Sequence, residues 1–222
     1  QSWMWVQTGG PPDKPVILFD YSTSRAQDVP LRLPDGYRGY LMTDDYAGYN
    51  AVAARDGIER LGCWAHARRK FYDARKTAPE LSHTALAWIK LLYAVEKEIK
   101  EFSAEEKKRV RQEKSVPILN DFKNWLDGIS MQEALPQSPI RQAINYTLNG
   151  WEALRVYTQD GDFSIDNNVA EHQMRPLAVG RKNWLFFGSN NGGRTAAVIF
   201  TITQSAKRHN LNLFTYLKDV IA

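Results

Sequence analysis

The stretch Ser164-Ile165-Asp166-Asn167-Asn168-Val169-Ala170-Glu171-His172-Gln173-Met174-Arg175-Pro176 decides how this chain is read. Asp166 is an effective N-cap, because its carboxylate can accept from the unpaired N–H groups of a helix's first turn. A helix starting there sets Asn167, Asn168, Glu171 and Arg175 at spacings of three and four, on one polar face, with Val169, Ala170 and Met174 turned away. Pro176, lacking an N–H for the i−4 carbonyl, ends or kinks that helix. An amphipathic helix with a solvated side accounts for the spacing equally well. Against that plain reading stands Gly180-Arg181-Lys182-Asn183-Trp184, a basic segment with an aromatic close to a lone carboxylate. A carboxylate among phosphate-binding side chains is what metal-assisted chemistry on nucleic acid requires.

Working outward, the bulk properties restrict the reading only loosely. A chain of 222 residues holds one large domain, or one domain carrying an insertion. The formal charge of +4 leans mildly towards a polyanionic partner. The single cysteine, Cys63, excludes an internal disulfide framework and fits a reducing compartment. No run of about twenty apolar residues indicates a membrane span. The chain opens without an initiator methionine on strand-like Trp3-Met4-Trp5-Val6, as a fragment would.

The amino-terminal part reads as strands and turns. Ser2 to Gln7 is a short aromatic-rich strand, followed by the turn chemistry of Thr8-Gly9-Gly10-Pro11-Pro12-Asp13. Pro15 to Tyr21 is a second strand whose apolar run predicts burial on both faces. Gly39 to Thr43 is a third, delivering Asp44 and Asp45 at its carboxyl end, where functional groups gather in open α/β sheets. The competing reading of these aspartates is an ordinary turn pair. Ile58 to Leu61 is a further strand, and a helix follows with Trp64, Ala67, Phe71 and Ala74 as its apolar stripe. Strands in this order predict a mixed sheet with flanking helices.

Cys63 and His66, three apart, admit three readings: a zinc site short of two ligands, a cysteine–histidine nucleophile without local support, or a partly buried pair beside the basic stripe Arg68, Arg69 and Lys70. From Thr77 to Asn149 the pattern becomes helical, with Leu86, Ile89, Leu92, Tyr93 and Ile99 on one apolar side. Glu96 with Lys100 and Glu105 with Arg109 read as solvated i,i+4 pairs. Near the end, Trp184-Leu185-Phe186-Phe187 reads as a strand, Gly188 to Thr195 as a glycine loop, and Thr195 to His209 as a helix. The loop approaches the phosphate-cradling pattern G-x-x-x-x-G-K-[ST], but Arg194 stands in place of the lysine. Too little chain follows for a Walker-B strand. A nucleotide-binding protein therefore stays as a distant alternative. The glycines otherwise let the loop bend tightly, against a phosphate of DNA for instance.

Four motifs in order carry a resemblance: Leu41 to Asn50, Cys63 to Phe71, Asp166-Asn167-Asn168 through Glu171 to Arg175-Pro176, and Gly180 to Trp184. Together they resemble the catalytic domain of the insertion-sequence-66 family of bacterial transposases. The resemblance implies an α/β, ribonuclease H-like mixed sheet with flanking helices, interrupted by an all-helical insertion. It divides the chain into a first part of the catalytic core (1–76), the insertion (77–149) and a second part carrying the glutamate helix (150–222). It implies a DDE triad holding two Mg²⁺ or Mn²⁺ ions, with Asp44 as second acid and Glu171 as third. Asp45 stands where the family pattern has glycine, and is the competing ligand. The resemblance places the first acid on a strand before Trp3, and implies no catalytic role for Asp20, which ends a later strand. His66, Arg68, Arg69, Lys70, Asn168, Arg175, Arg181, Lys182, Asn183 and Trp184 are the residues expected at DNA. The partners implied are transposon-end and target DNA and further copies of the chain in the active complex, in the bacterial cytoplasm with the nucleoid and away from any membrane. A rival class is a transposase remnant that binds DNA without cutting it.

Overall fold

In the computed structural model, residues 1–11, 14–26, 28–32, 36–43 and 47–221 are described; the side chains of Ala47, Asn50 and Ala53 are not. The chain divides into two compact units, Gln1–Asp35 with Asn168–Ala222, and Gly36–Asn167. No helix among the described residues is long and apolar enough to cross a membrane.

The Gly36–Asn167 unit is built on two short strands, β3 (Gly39–Met42) and β4 (Ile58–Leu61), paired in parallel from Gly39↔Ile58 to Met42↔Leu61. Parallel partners require a crossover, and here it carries a short helix, Asn50–Ala53, that buries Val52. Gly62 then lets the chain pass tightly: a Cβ there would lie 2.8 Å from the Leu154 main-chain nitrogen. The helix Trp64–Ala74 follows, burying Trp64, Ala67, Phe71 and Ala74, the stripe that its sequence period predicts. These residues pack against Phe122, Trp151, Ile89 and Leu92 in one core. Phe122 lies at its centre, 6.0 Å from the Trp64 ring and stacked on Trp125.

The helix Pro79–Glu98 is begun by a proline in its first turn, where no N–H is needed. Its end corrects one expected ion pair. The helix stops at Glu98, so Lys100 lies beyond it and pairs with Glu101, while Glu96 turns inward to Arg111. Arg111 is 2% exposed, at the head of a wider π-helical turn, Arg111–Ser115. Its Nε and Nη2 donate to the two Glu96 carboxylate oxygens at 2.8 and 2.6 Å. Its Nη1 donates to the carbonyls of Tyr157 and Asp160. Arg109 likewise pairs with Glu113 rather than Glu105.

In the other unit, β1 (Trp3–Gly9) and β2 (Val16–Ser22) form an antiparallel hairpin running from Trp3↔Ser22 to Gly9↔Val16. β2 was expected to be buried on both faces; it alternates instead, with Ile17 and Phe19 buried and Val16 and Leu18 exposed. The helix Asn190–Arg208 covers the inner face, with Ala197 and Phe200 against Ile17 and Phe19. Two hydroxyls of that helix bind the strand main chain: Thr201 accepts from Phe19 N–H, and Ser205 donates to the Ile17 carbonyl. The expected single mixed sheet is thus replaced, among the described residues, by two two-stranded sheets, one antiparallel and one parallel.

Because Glu96 is the carboxylate that, among the described residues, satisfies the buried Arg111 fork, Glu96→Ala should leave a guanidinium uncompensated in the core. The expected loss is about 3 kcal/mol of unfolding free energy, read by urea titration, with Glu96→Gln losing less because it keeps one acceptor.

Candidate functional site

The short helix Asn168–Gln173 carries Glu171, whose side chain is exposed, and none of its residues is buried. It starts two residues after Asp166, the expected cap. One oxygen of Asp166 (Oδ2) accepts from the Tyr93 hydroxyl at 2.7 Å. The preceding segment is fixed at each residue. The Trp64 main-chain N–H donates to the Ile165 carbonyl, the Cys63 thiol donates to Asn167 Oδ1 at 3.0 Å, and the Asn167 N–H points to Cys63 Sγ at 3.4 Å. Burial of Tyr93 and its bond to Asp166 push the phenol well above its ordinary range. The phenol therefore stays a donor.

The helix ends ahead of Pro176, as the sequence predicts, and the chain restarts as a helix at once. The helix breaks at Met174, and a new helix, Arg175–Trp184, begins with Pro176 in its first turn. A proline costs nothing at that position, since the first-turn N–H groups have no helical acceptor. Glu171 and Arg175 therefore stand on consecutive helices rather than on one face of a single helix. Arg175, Arg181, Lys182 and Asn183 are exposed on the second helix, with Arg181 and Lys182 in its last turn, where the dipole favours cations. Trp184 folds back over Gly180, where a Cβ would lie 2.6 Å from its indole nitrogen, and its ring rests 4.7 Å from that of Phe187.

The expected strand at Trp184–Phe187 is absent. The chain reverses at Leu185, with φ 58° and ψ −48°, and the Phe186 N–H bonds the Trp184 carbonyl at 2.6 Å. This is a γ-turn of the rare hand, and it leaves Leu185 and Phe186 exposed at 65% and 73%. The expected glycine loop is also replaced. Ser189 caps the helix Asn190–Arg208 by accepting from the Gly192 N–H, so Gly192 and Gly193 lie in its first turn. Their role is close packing: a Cβ on Gly193 would lie 2.2 Å from the Tyr21 ring, and one on Gly192 would lie 2.2 Å from the Phe187 carbonyl oxygen. No phosphate cradle results.

On the Trp64–Ala74 helix, Arg68 and Arg69 are exposed and His66 and Lys70 half-buried. Lys70 Nζ lies 4.4 Å from the Tyr146 ring centre, and Arg75 stacks on Tyr72. Cys63 is buried, and burial pushes its thiol up against the lowering effect of nearby main-chain N–H groups. Among the described residues no three of His, Cys, Asp and Glu gather as a metal site. Asp44 and Asp45 lie outside the described residues. Asp20, set aside in the sequence reading, is engaged by Arg32 at 2.6 Å. Asn168 is half-buried at the start of the glutamate helix.

Neither Tyr93 nor the anchoring of residues 165–167 was foreseen. Tyr93 carried only an apolar-stripe signal, and its partner is 73 positions away.

Comparison with known proteins places these residues in a family context. The model of the family described as "Transposase IS66 family" matches residues 1–195. The uncharacterized protein y4hP of Sinorhizobium fredii (strain NBRC 101917 / NGR234) is 34% identical over 94% of this chain and 41% of its own length. From the same organism, uncharacterized protein y4jD is 33% identical over 95% of this chain and 42% of its own. Uncharacterized protein y4qI is 30% identical over 100% of this chain and 43% of its own. The chain thus spans about two-fifths of the length of these relatives. No solved structure matches.

A buried, hydrogen-bonded and proton-retaining thiol is a poor nucleophile. Cys63 should therefore resist iodoacetamide at neutral pH in the folded chain and label fully only in denaturant. Native-state labelling as fast as that of free cysteine would revive the nucleophile reading.

Proposed function

The chain belongs to the IS66 transposase family, and from that premise we propose that it supplies the catalytic region of a DNA transposase of the DDE type. Its reaction would be phosphodiester cleavage and strand transfer of an insertion sequence. The observation that carries this reading is the exposed Glu171 carboxylate on its short helix, followed directly by a helix exposing Arg175, Arg181 and Lys182.

Glu171 and Asp44, with Asp45 as the competing ligand, would hold Mg²⁺ or Mn²⁺. The donor set fits, since these ions take carboxylate oxygen, and the exposed Glu171 leaves room for water and phosphate ligands. Bound divalent ions supply charge stabilisation at the phosphate and an activated oxygen nucleophile. The remaining work falls to the chain's own cations. Arg175, Arg181 and Lys182, together with Arg68, Arg69 and Lys70, bind phosphate oxygens and set the register of the strand. His66, Asn168 and Asn183 add hydrogen bonds, and Trp184 offers a ring to a displaced base.

The core of such an enzyme would be ribonuclease H-like, interrupted by a helical insertion over 77–149. In support, each of the two small sheets has open edges among the described residues. A third acid beside Asp44 and Glu171 would complete the triad, and two acids alone would bind metal weakly. The active form is read as a homo-oligomer on transposon-end and target DNA, in the bacterial cytoplasm.

Two measurements check this. Mn²⁺ at a hundredfold excess over its dissociation constant should stabilise the fold by about 2.7 kcal/mol, and Asp44→Ala and Glu171→Ala should each lose that shift. A shift retained in both variants would sink the metal assignment. Binding to duplex DNA should weaken steeply from low to moderate salt, by one logarithmic slope unit for each phosphate neutralised. The double change Arg181→Ala, Lys182→Ala should flatten that slope by about two. Salt-independent binding would remove the phosphate reading, and DNA binding without any metal response would favour the non-catalytic remnant.

A further inference from the structure

The unit formed by Gln1–Asp35 and Asn168–Ala222 carries ten basic and six acidic side chains, so the chain's whole formal excess of +4 lies in it. From His172 to Lys218 there is no carboxylate side chain. Within that basic stretch the helix Arg175–Trp184 ends in the reversal at Leu185, with φ 58° and ψ −48°. A bulky apolar residue rarely takes that backbone region, and such strain persists only where the surroundings hold it. Here they do so from both sides. Trp184 covers Gly180, where a Cβ would lie 2.6 Å from the indole nitrogen, and the Phe187 ring sits 4.7 Å from that of Trp184. Phe187 also meets the Tyr21 ring edge-on at 6.4 Å, and the Tyr21 hydroxyl donates to Asn190 Oδ1 at 2.9 Å. Between these two anchored residues Leu185 and Phe186 project into solvent.

We propose that Leu185 and Phe186 form an apolar wedge that enters a base step of duplex DNA and unstacks it, while Arg181 and Lys182 hold the flanking phosphates. The proposal rests on the reading of this chain as a DNA-binding transposase region and adds how the duplex is deformed. Charge, size and rigidity favour DNA as the occupant. Arg181 and Lys182 are exposed in the last helical turn before the tip, and the Leu185 N–H bonds the Arg181 carbonyl, so cation and wedge stand one turn apart. A stable protein interface buries about 800 Å² on each partner, whereas one aromatic side chain offers about 150–250 Å². Two side chains at the apex of a turn are too little for the first and the right size for a base step. The fixed flanks also mean that little freedom is lost when the tip binds. Phe and Leu are among the side chains that open base steps and bend the duplex, and pyrimidine–purine steps open most readily. Trp184 and Phe187 then act as the buttress behind the wedge.

The test titrates residues 1–222 into duplexes carrying 2-aminopurine, whose emission is quenched by stacking, at a central TA step. Saturating wild-type protein should raise the emission several-fold, with a smaller rise at a stiffer AA step. Phe186→Ala should lose the rise and bind about tenfold more weakly, the scale of one lost aromatic–base contact. Its salt slope should stay that of wild type, because its phosphate contacts are intact. Phe186 is 73% exposed, so the alanine variant should keep its thermal midpoint, and Phe186→Trp should restore the rise. The double change Arg181→Ala, Lys182→Ala should show the opposite split, a slope flatter by about two with the rise retained at saturation. Steep salt dependence without an emission rise in wild type, or a rise undiminished in Phe186→Ala, overturns the wedge and leaves the DNA reading standing. Loss of self-association in Phe186→Ala with unchanged DNA binding assigns the tip to a second copy and also overturns the wedge. Absence of duplex binding by wild type at low salt overturns the DNA reading itself, and the wedge with it.

Discussion

Trp64 is the contact on which the Gly36–Asn167 unit depends. Its main-chain N–H bonds the Ile165 carbonyl and its indole N–H bonds the Leu154 carbonyl at 2.8 Å. Its ring lies 6.0 Å from those of Phe122 and Trp151. One fully buried residue thus ties the end of β4 to the helix Trp151–Arg155 and to the segment leading into Glu171. Removing a buried aromatic of this size costs roughly 3–5 kcal/mol, and here it would also orphan a buried carbonyl. The approach that makes this possible is set by Gly62, whose missing side chain lets its N–H reach the Ala153 carbonyl at 2.8 Å.

What was legible in the sequence is what local chemistry controls. The stripe Trp64, Ala67, Phe71 and Ala74, the strand Ile58–Leu61 and the hairpin around Gly9-Gly10 are encoded within a dozen residues, by periodicity and turn chemistry. Partners across long separations were not legible. Glu96 has a lysine four residues on, and spacing favours that pair until the helix ends at Glu98 and Arg111 takes the carboxylate. Arg111 in turn looks like one more surface cation within Lys107-Lys108-Arg109-Val110-Arg111. Only the fold shows that two main-chain carbonyls and a carboxylate await it. The site shows the same division: the basic and acidic residues were visible as types, whereas the bonds of Tyr93 to Asp166 and of Cys63 to Asn167 were not.

The carboxyl-terminal misreadings share one physical origin. A short apolar run such as Trp184–Phe187 fits a strand or an irregular turn, because four residues carry no decisive period. Neighbouring glycines signal that something approaches the backbone closely, without saying what. At Gly192 and Gly193 the approaching groups are the Phe187 carbonyl and the Tyr21 ring. The same residues in the same order suit a phosphate cradle, and the sequence holds no term that separates the two. Tyr21 does, since its ring is held by a bond from its hydroxyl to Asn190 and by an edge contact with Phe187.

An exposed acid on an unburied helix must be placed by its neighbours; the helix of Glu171 lies against β1, and the chain on each side of it is bound within its own unit. Upstream, Ile165 is buried in the main core and Asn167 is bound to Cys63. Downstream, Met174 packs on the Ile17 and Phe19 cluster, and Leu177 is buried one turn into the next helix. Pro176 stiffens that restart by fixing its φ where no N–H is required. The stretch without a buried residue runs from Asn167 to Pro176. A side chain that must face solvent, phosphate and cations cannot gain its position from burial. The constraint therefore falls on β1 and on the helix restart at Pro176, so the motif is recognisable by residue type while its support is scattered along the chain.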